Sequence, residues 1–123
     1  MTDPLDVRIE RTADGASIVE LTGELDLSTV PRVESSLLEQ LHAPPGVVVD
    51  LTRLSFIDSS GIGVLIQAFL ASNGNRMHTV IAPDSQVERV FRLAGIDRAL
   101  PIFFERDEAV AALTLGLNGD NSD

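Results

Sequence analysis

A chain of 123 residues with 44% hydrophobic content suits one globular domain with its own core and argues against extended disorder. It has no cysteine, which excludes disulfides, zinc–thiolate sites and thiol catalysis. Nine basic residues against nineteen acidic ones leave a formal charge of −10, which opposes direct nucleic-acid binding and favours a partner with a basic face.

The opening Met1-Thr2-Asp3-Pro4 has no signal-peptide or myristoylation pattern, and no apolar run reaches the roughly 18 residues of a membrane span. A cytoplasmic protein that engages no membrane is expected. Residues 6–9 alternate weakly, and Ala13-Asp14-Gly15 is a turn leading into the strand-like Ser17-Ile18-Val19-Glu20-Leu21-Thr22, so a hairpin is predicted. Gly23-Glu24-Leu25-Asp26 reads as a loop with solvated acids. A helix starts near Ser28 or Thr29, either able to cap it, with Pro31 in the first turn and Val33, Leu37, Leu38 and Leu41 on its apolar face.

Ala43-Pro44-Pro45-Gly46 breaks that helix. Val47-Val48-Val49-Asp50-Leu51 is a β-branched run typical of a strand buried on both faces. After Leu54-Ser55-Phe56-Ile57 and an Asp58-Ser59-Ser60-Gly61 turn, a second helix runs to about Ala71, with Gly74 as its stop signal. Residues 77–82 read as a strand. Pro83-Asp84-Ser85 opens a third helix with capping-box spacing between Ser85 and Glu88, a stripe of Val87, Val90, Phe91 and Ala94, and Gly95 as its end. Residues 100–104 read as a last short strand, and Asp107 as the cap of a final helix carrying Val110, Leu113 and Leu115. Residues 118–123 form a polar tail. The alternation of strand and helix patterns implies one α/β domain over residues 1–117 with parallel pairing.

The informative junction is where the buried strand meets the second helix. The first N–H groups of a helix have no intrahelical partner and its dipole favours negative charge there, so Asp58, Ser59 and Ser60 are each able to act as the N-cap. On a wheel of about 100° per residue, Ile62, Leu65, Ile66 and Phe69 share one face. Gly63, Val64 and Gln67 fall off it, so Val64 is expected to be exposed and, with the serines, to form a docking face. Extrapolating the same wheel backwards points Ser60 toward solvent and Ser59 toward the core edge. A phosphoserine at this helix mouth would add roughly −1.5 to −2 charge that the fold tolerates, while Asp58 repels it and a docked partner must desolvate it.

Other chemistries find less support. Gly61-x-Gly63 lacks the third glycine of a dinucleotide fingerprint, and neither a phosphate-binding loop nor a nucleophile elbow is present. His42 and His78 lack motif spacing and read as surface or structural residues. Asp50 and Asp58 form at most a carboxylate pair, so no metal site and no cofactor are expected.

Val47-Val48-Val49-Asp50-Leu51 followed by Phe56-Ile57-Asp58-Ser59-Ser60-Gly61-Ile62-Gly63-Val64-Leu65 resembles the signature of bacterial anti-sigma factor antagonists, stand-alone members of the STAS domain family. Gly23-Glu24-Leu25-Asp26 resembles the family's early loop, Val90-Phe91-Arg92-Leu93-Ala94-Gly95-Ile96 its third-helix segment, and residues 109–117 its last helix. The resemblance implies a mixed β-sheet of four to five strands packed with about four helices. It also implies a non-enzymatic regulator that, while unphosphorylated, binds an anti-sigma factor serine kinase and releases the sigma factor. The kinase would phosphorylate Ser59, with Ser60 the second choice, and a PP2C-type phosphatase would reverse this. The partner surface implied comprises Asp26, Asp58, Ser59, Ser60, Gly61, Gly63 and Val64, on a monomer. The alternative is a scaffold domain of a larger sensory complex with no sigma-linked kinase; a nucleotide- or small-molecule-binding module draws only on the anion-binding helix N-terminus.

Overall fold

The run of β-branched and aliphatic residues that begins at Val47 extends further than its first five positions suggest. In a computed structural model, which describes residues 4–42, 44–72 and 76–116, it forms one continuous strand, β3 (Val47–Ile57). Before it come β1 (Leu5–Arg11), β2 (Ser17–Leu25) and α1 (Val30–Gln40); after it come α2 (Ser59–Ala71), β4 (Met77–Val80), α3 (Gln86–Ala94), β5 (Ile102–Phe103) and α4 (Arg106–Leu115). The five strands lie in one sheet in chain order, with β1 antiparallel to β2 and every other neighbouring pair parallel. The expected mixed sheet and four helices are present.

Each parallel step from β2 to β5 crosses through one helix. Right-handed crossovers between strands that advance in one direction place α1, α2 and α3 on the same face of the sheet. Alternation along β3 follows from that layering: Val47, Val49 and Leu51 join Leu21, Leu37, Leu65 and Phe91 in the main core, while Val48 points to the opposite face. There it meets Ile18, Val80, Phe103, Ala109 and Leu113, where α4 closes the second layer.

Charge fixes α4 in place. Arg106, its first residue, donates from Nε and Nη2 to Asp50 Oδ2 on β3 at 2.8 and 2.7 Å, and from Nη2 to Glu20 Oε2 on β2 at 2.8 Å, with Glu10 of β1 at 3.5 Å. The other Asp50 oxygen accepts from the Thr52 backbone N–H and hydroxyl, so a carboxylate only 4% exposed is fully bonded. Burial opposes the Arg106 charge, yet the Asp50 hydrogen bond and the Asp50, Glu20 and Glu10 charges outweigh it and raise the guanidinium pKa. His78 is fully buried beside α4, with Nδ1 3.1 Å from the Ala109 carbonyl and its ring 4.9 Å from that of Phe103, so it is structural. His42 is exposed.

Several local expectations need correction. β2 runs on through Gly23-Glu24-Leu25, so the loop begins only at Asp26. Leu38 is 51% exposed, because α1 buries only a narrow stripe centred on Val33 and Leu37. Thr29 is the α1 N-cap by backbone, but its hydroxyl donates backwards to the Glu24 carbonyl at 3.0 Å and caps nothing. Ala94 is exposed, and α3 buries Val87 and Phe91. β5 has two residues, Ile102 and Phe103, which pair with Thr79 and Val80 of β4. α4 starts at Arg106, with Glu105 rather than Asp107 at its cap position, and buries Ala109, Ala112 and Leu113 while Leu115 is exposed. The stop signal Gly74 and the tail 118–123 lie outside the described residues.

Candidate functional site

Parallel strands deliver their C-terminal ends to the same edge of a sheet, where loops are free to carry function. Here β2 and β3 end in register, Leu25 opposite Ile57, so Asp26 and Asp58 leave the sheet side by side. The Asp58 N–H donates to the Leu25 carbonyl at 3.2 Å, which ties the start of the turn to β2. Asp58 has extended backbone angles, and its Oδ1 accepts from the N–H groups of Ser60 at 2.9 Å and Gly61 at 3.2 Å. The three-way choice of cap is thereby resolved: Asp58 is the N-cap of α2.

That assignment frees the serines. Ser59 is the first helical residue and exposed, and its hydroxyl has no hydrogen bond among the described residues. Ser60 is half-buried. The order is the reverse of the backward wheel extrapolation, which assumed that α2 buries a single narrow face.

The start of α2 lies tightly on the strand ends, and Gly61 permits it. A Cβ there would sit 2.7 Å from Leu25 Cγ and 2.8 Å from Ile57 Cγ1. A side chain from α3 then clamps the end of β3: Gln86 Nε2 donates to the Ile57 carbonyl at 3.2 Å, while its Oε1 accepts from the Ile57 N–H at 3.0 Å. This clamp satisfies a strand edge that β4 has already left, since β3 and β4 pair only over 47–50. Its signal is absent from local sequence, because an amide bonding backbone 29 positions away leaves no spacing pattern.

On the β2 side, Asp26 Oδ1 accepts from the Ser28 hydroxyl at 2.7 Å and its backbone N–H at 3.0 Å. The Ser28 hydroxyl bond, aided by backbone bonds from Ser28 and Thr29, holds the Asp26 carboxyl below the usual aspartate range. Asp26 is therefore a fixed negative charge near the helix mouth. Asp50 and Asp58 are committed to different partners, and no group of three or more metal-ligating side chains exists among the described residues.

Val64 is only 5% exposed, against the expectation that it projects outward. α2 is the middle helix of its layer and turns one flank to α1, so its buried set is Gly61, Val64, Leu65 and Ala68. Ile62, Ile66 and Phe69 are half-buried, and Gln67 and Leu70 are exposed. Between α1 and α2 lies a shallow cleft lined by Glu34, Leu38, Val64, Gln67 and Ala68, so Val64 reaches the surface only as part of a floor. Gly63 is half-buried, with open space where a Cβ would stand.

Comparison with known proteins places this arrangement. A family model of the STAS domain matches residues 8–109. The chain is 35% identical over 104 residues to an anti-sigma F factor antagonist of Paenibacillus polymyxa, covering 81% of this chain and 86% of the relative. It is 31% identical over 96 residues to an anti-sigma-B factor antagonist of Listeria monocytogenes, covering 76% and 82%. A crystal structure of an anti-sigma factor antagonist from Mycobacterium paratuberculosis matches with a TM-score of 0.81 at 25% identity, over 92% of this chain and 98% of that one. The chain belongs to the STAS family.

Proposed function

We infer that this STAS-family chain is an anti-sigma factor antagonist that binds an anti-sigma serine kinase while Ser59 is unmodified, releases the sigma factor, and is turned off by phosphorylation of Ser59. A PP2C-type phosphatase restores the binding form. The observation that carries this reading is the division of labour at the helix mouth. Asp58 caps α2, leaving the neighbouring hydroxyl of Ser59 exposed and unbonded at a helix N-terminus.

A hydroxyl in that position is open to a kinase, and its phosphate would sit where the helix dipole favours negative charge. Asp26 and Asp58 stand beside it as fixed carboxylates. The effect of the phosphate thus falls on a docked partner, which must accommodate an added charge among existing ones. The names of the relatives support the antagonist role.

The test is binding of wild-type, Ser59→Ala and Ser59→Asp proteins to purified anti-sigma serine kinases encoded in the same genome. Ser59→Ala should bind like wild type and resist inactivation by kinase and ATP, whereas Ser59→Asp should bind at least about tenfold more weakly. Equal binding of Ser59→Asp and wild type refutes the switch. Phosphate found on Ser60 alone would move the acceptor by one residue.

A further inference from the structure

β3 runs on past its neighbour. β4 pairs with it only over residues 47–50, so from Leu51 to Ile57 it has no strand on that side. The gap matters most at Ile57. Asp58 turns its N–H to the Leu25 carbonyl of β2, so Ile57 turns its own N–H and C=O the other way. Ile57 is only 1% exposed, which keeps water from both groups, and a buried backbone group left unmet is costly. Gln86 of α3 meets the two together, donating to the carbonyl at 3.2 Å and accepting from the N–H at 3.0 Å. A primary amide presents donor and acceptor side by side, as a peptide does, so one side chain stands in for the missing strand.

The packing of α3 does not itself call for glutamine here. α3 buries Val87 and Phe91, one turn apart, and Gln86 stands half-buried beside that stripe. Its backbone is firmly held, as the first residue of a helix whose cap, Ser85, accepts from the Glu88 N–H at 3.0 Å and donates to the Ala82 carbonyl at 2.7 Å. The peptide that joins Ile57 to Asp58 therefore has two anchors: β2 holds it through Leu25, and α3 holds it through Gln86. Ser59 comes next. Its exposed hydroxyl has no hydrogen bond of its own among the described residues, so it takes its position from this peptide and from the Asp58 cap.

We propose that Gln86 is a positioning residue for the switch: its amide, bonded to both backbone groups of Ile57, holds the Asp58–Ser59 turn where the Ser59 hydroxyl meets the γ-phosphate of ATP on the kinase. This rests on the reading of Ser59 as the phosphoacceptor, and it adds a residue that sets how fast the switch is thrown. In the transfer the Ser59 oxygen bonds to the γ-phosphorus, the bond to the departing ADP oxygen breaks, and the hydroxyl proton passes to a base on the kinase. Attacking and leaving oxygens must stand roughly in line, and a misplacement of about 1 Å lowers such a rate by as much as about a hundredfold. Gln86 acts through Ile57 and not on the phosphate, so its loss slows the transfer while the docking residues stay in place.

The experiment follows single-turnover phosphorylation by the purified anti-sigma serine kinases of the same genome, with ATP and saturating kinase, and measures affinity for the same kinases with ADP in place of ATP. The proteins are wild type, Ser59→Ala, Gln86→Met, Gln86→Ala and, as a control destabilised on the other face of the sheet, Leu113→Ala, all at a temperature where circular dichroism shows each one folded. Gln86→Met keeps the shape and removes both bonds; Gln86→Ala admits water to the Ile57 groups and keeps the variant folded if Gln86→Met is not. Either should take phosphate about tenfold or more slowly, with Kd within about threefold of wild type. Leu113→Ala should keep the wild-type rate despite a lower Tm, a split that a merely structural glutamine would not give. A rate within about twofold of wild type for the folded Gln86 variants overturns the proposal, as does a slowing that Leu113→Ala shares or a loss of affinity as large as the loss of rate. If Ser59→Ala blocks uptake while the Gln86 variants are not slowed, this role falls and the switch stands. If Ser59→Ala takes up phosphate like wild type, the switch at Ser59 falls and this role with it.

Discussion

Replacing Gly61 by alanine tests whether close packing sets the position of the Ser59 mouth. The new Cβ would lie 2.7 Å from Leu25 Cγ and 2.8 Å from Ile57 Cγ1, about 1 Å inside ordinary carbon–carbon contact. Both neighbours are fully buried, so neither has a free direction in which to yield. Overpacking of this kind costs about 1–3 kcal/mol, and the gain in helix propensity returns at most about 1 kcal/mol. The expected net loss of about 1–2 kcal/mol should lower Tm by roughly 3–8 °C. Thermal unfolding by circular dichroism reads the loss. Amide chemical shifts should move at Leu25, Asp26 and Asp58 through Ser60, because the relief must come from displacing the start of α2 from the strand ends. A Tm at or above wild type would show that the first turn has room, and that Gly61 does not set where Ser59 stands.

Asp58→Ala should cost about 1–2 kcal/mol in urea unfolding, whereas Asp58→Asn should retain most of the stability because asparagine caps as well as aspartate; equal losses would assign the effect to charge rather than to the cap. Arg106→Met should cost about 3 kcal/mol in the same assay by leaving the buried Asp50 carboxylate with Thr52 alone, and adding Asp50→Leu should recover much of it. A loss below about 1 kcal/mol for Arg106→Met would mean that α4 is held by its apolar face and not by the ion network.

What the sequence made legible was local. The valine run at 47–49 announces a strand buried on both faces, and it is one. Ser85 accepts from the Glu88 N–H at 3.0 Å, as the capping spacing predicts, although Glu88 reaches back to Asp84 rather than to Ser85. Gly95 ends α3 with φ of 73°, a left-handed angle that its lack of a β-carbon permits. The errors arose where a residue's surroundings come from distant chain. A wheel assumes one buried face, but α2 has both a sheet beneath it and α1 beside it, so Val64 turned inward and Ser59 outward. Arg106 meets Asp50 and Glu20 across 56 and 86 positions, and Gln86 meets Ile57 across 29, separations over which no periodic pattern carries information.

The choice of Asp58 as cap bears on how a switch at Ser59 would work. Had Ser59 been the cap, its modification would have removed a capping oxygen and charged the fold about 1 kcal/mol or more. With the cap held by its neighbour, two smaller effects remain on the folded state. The helix N-terminus stabilises a phosphate by about 0.3–1 kcal/mol, and repulsion from Asp26 and Asp58, screened across a solvent-exposed mouth, acts in the opposite direction. A partner seated over the same mouth excludes the water that screens those charges, and leaving a charge unpaired in such an interface costs about 2–5 kcal/mol. On the proposed reading, phosphorylation would therefore change binding by some two or three orders of magnitude while leaving folding almost untouched. On the same reading the acceptor is Ser59 rather than Ser60, because a kinase must reach the hydroxyl and Ser59 is exposed where Ser60 is half-buried.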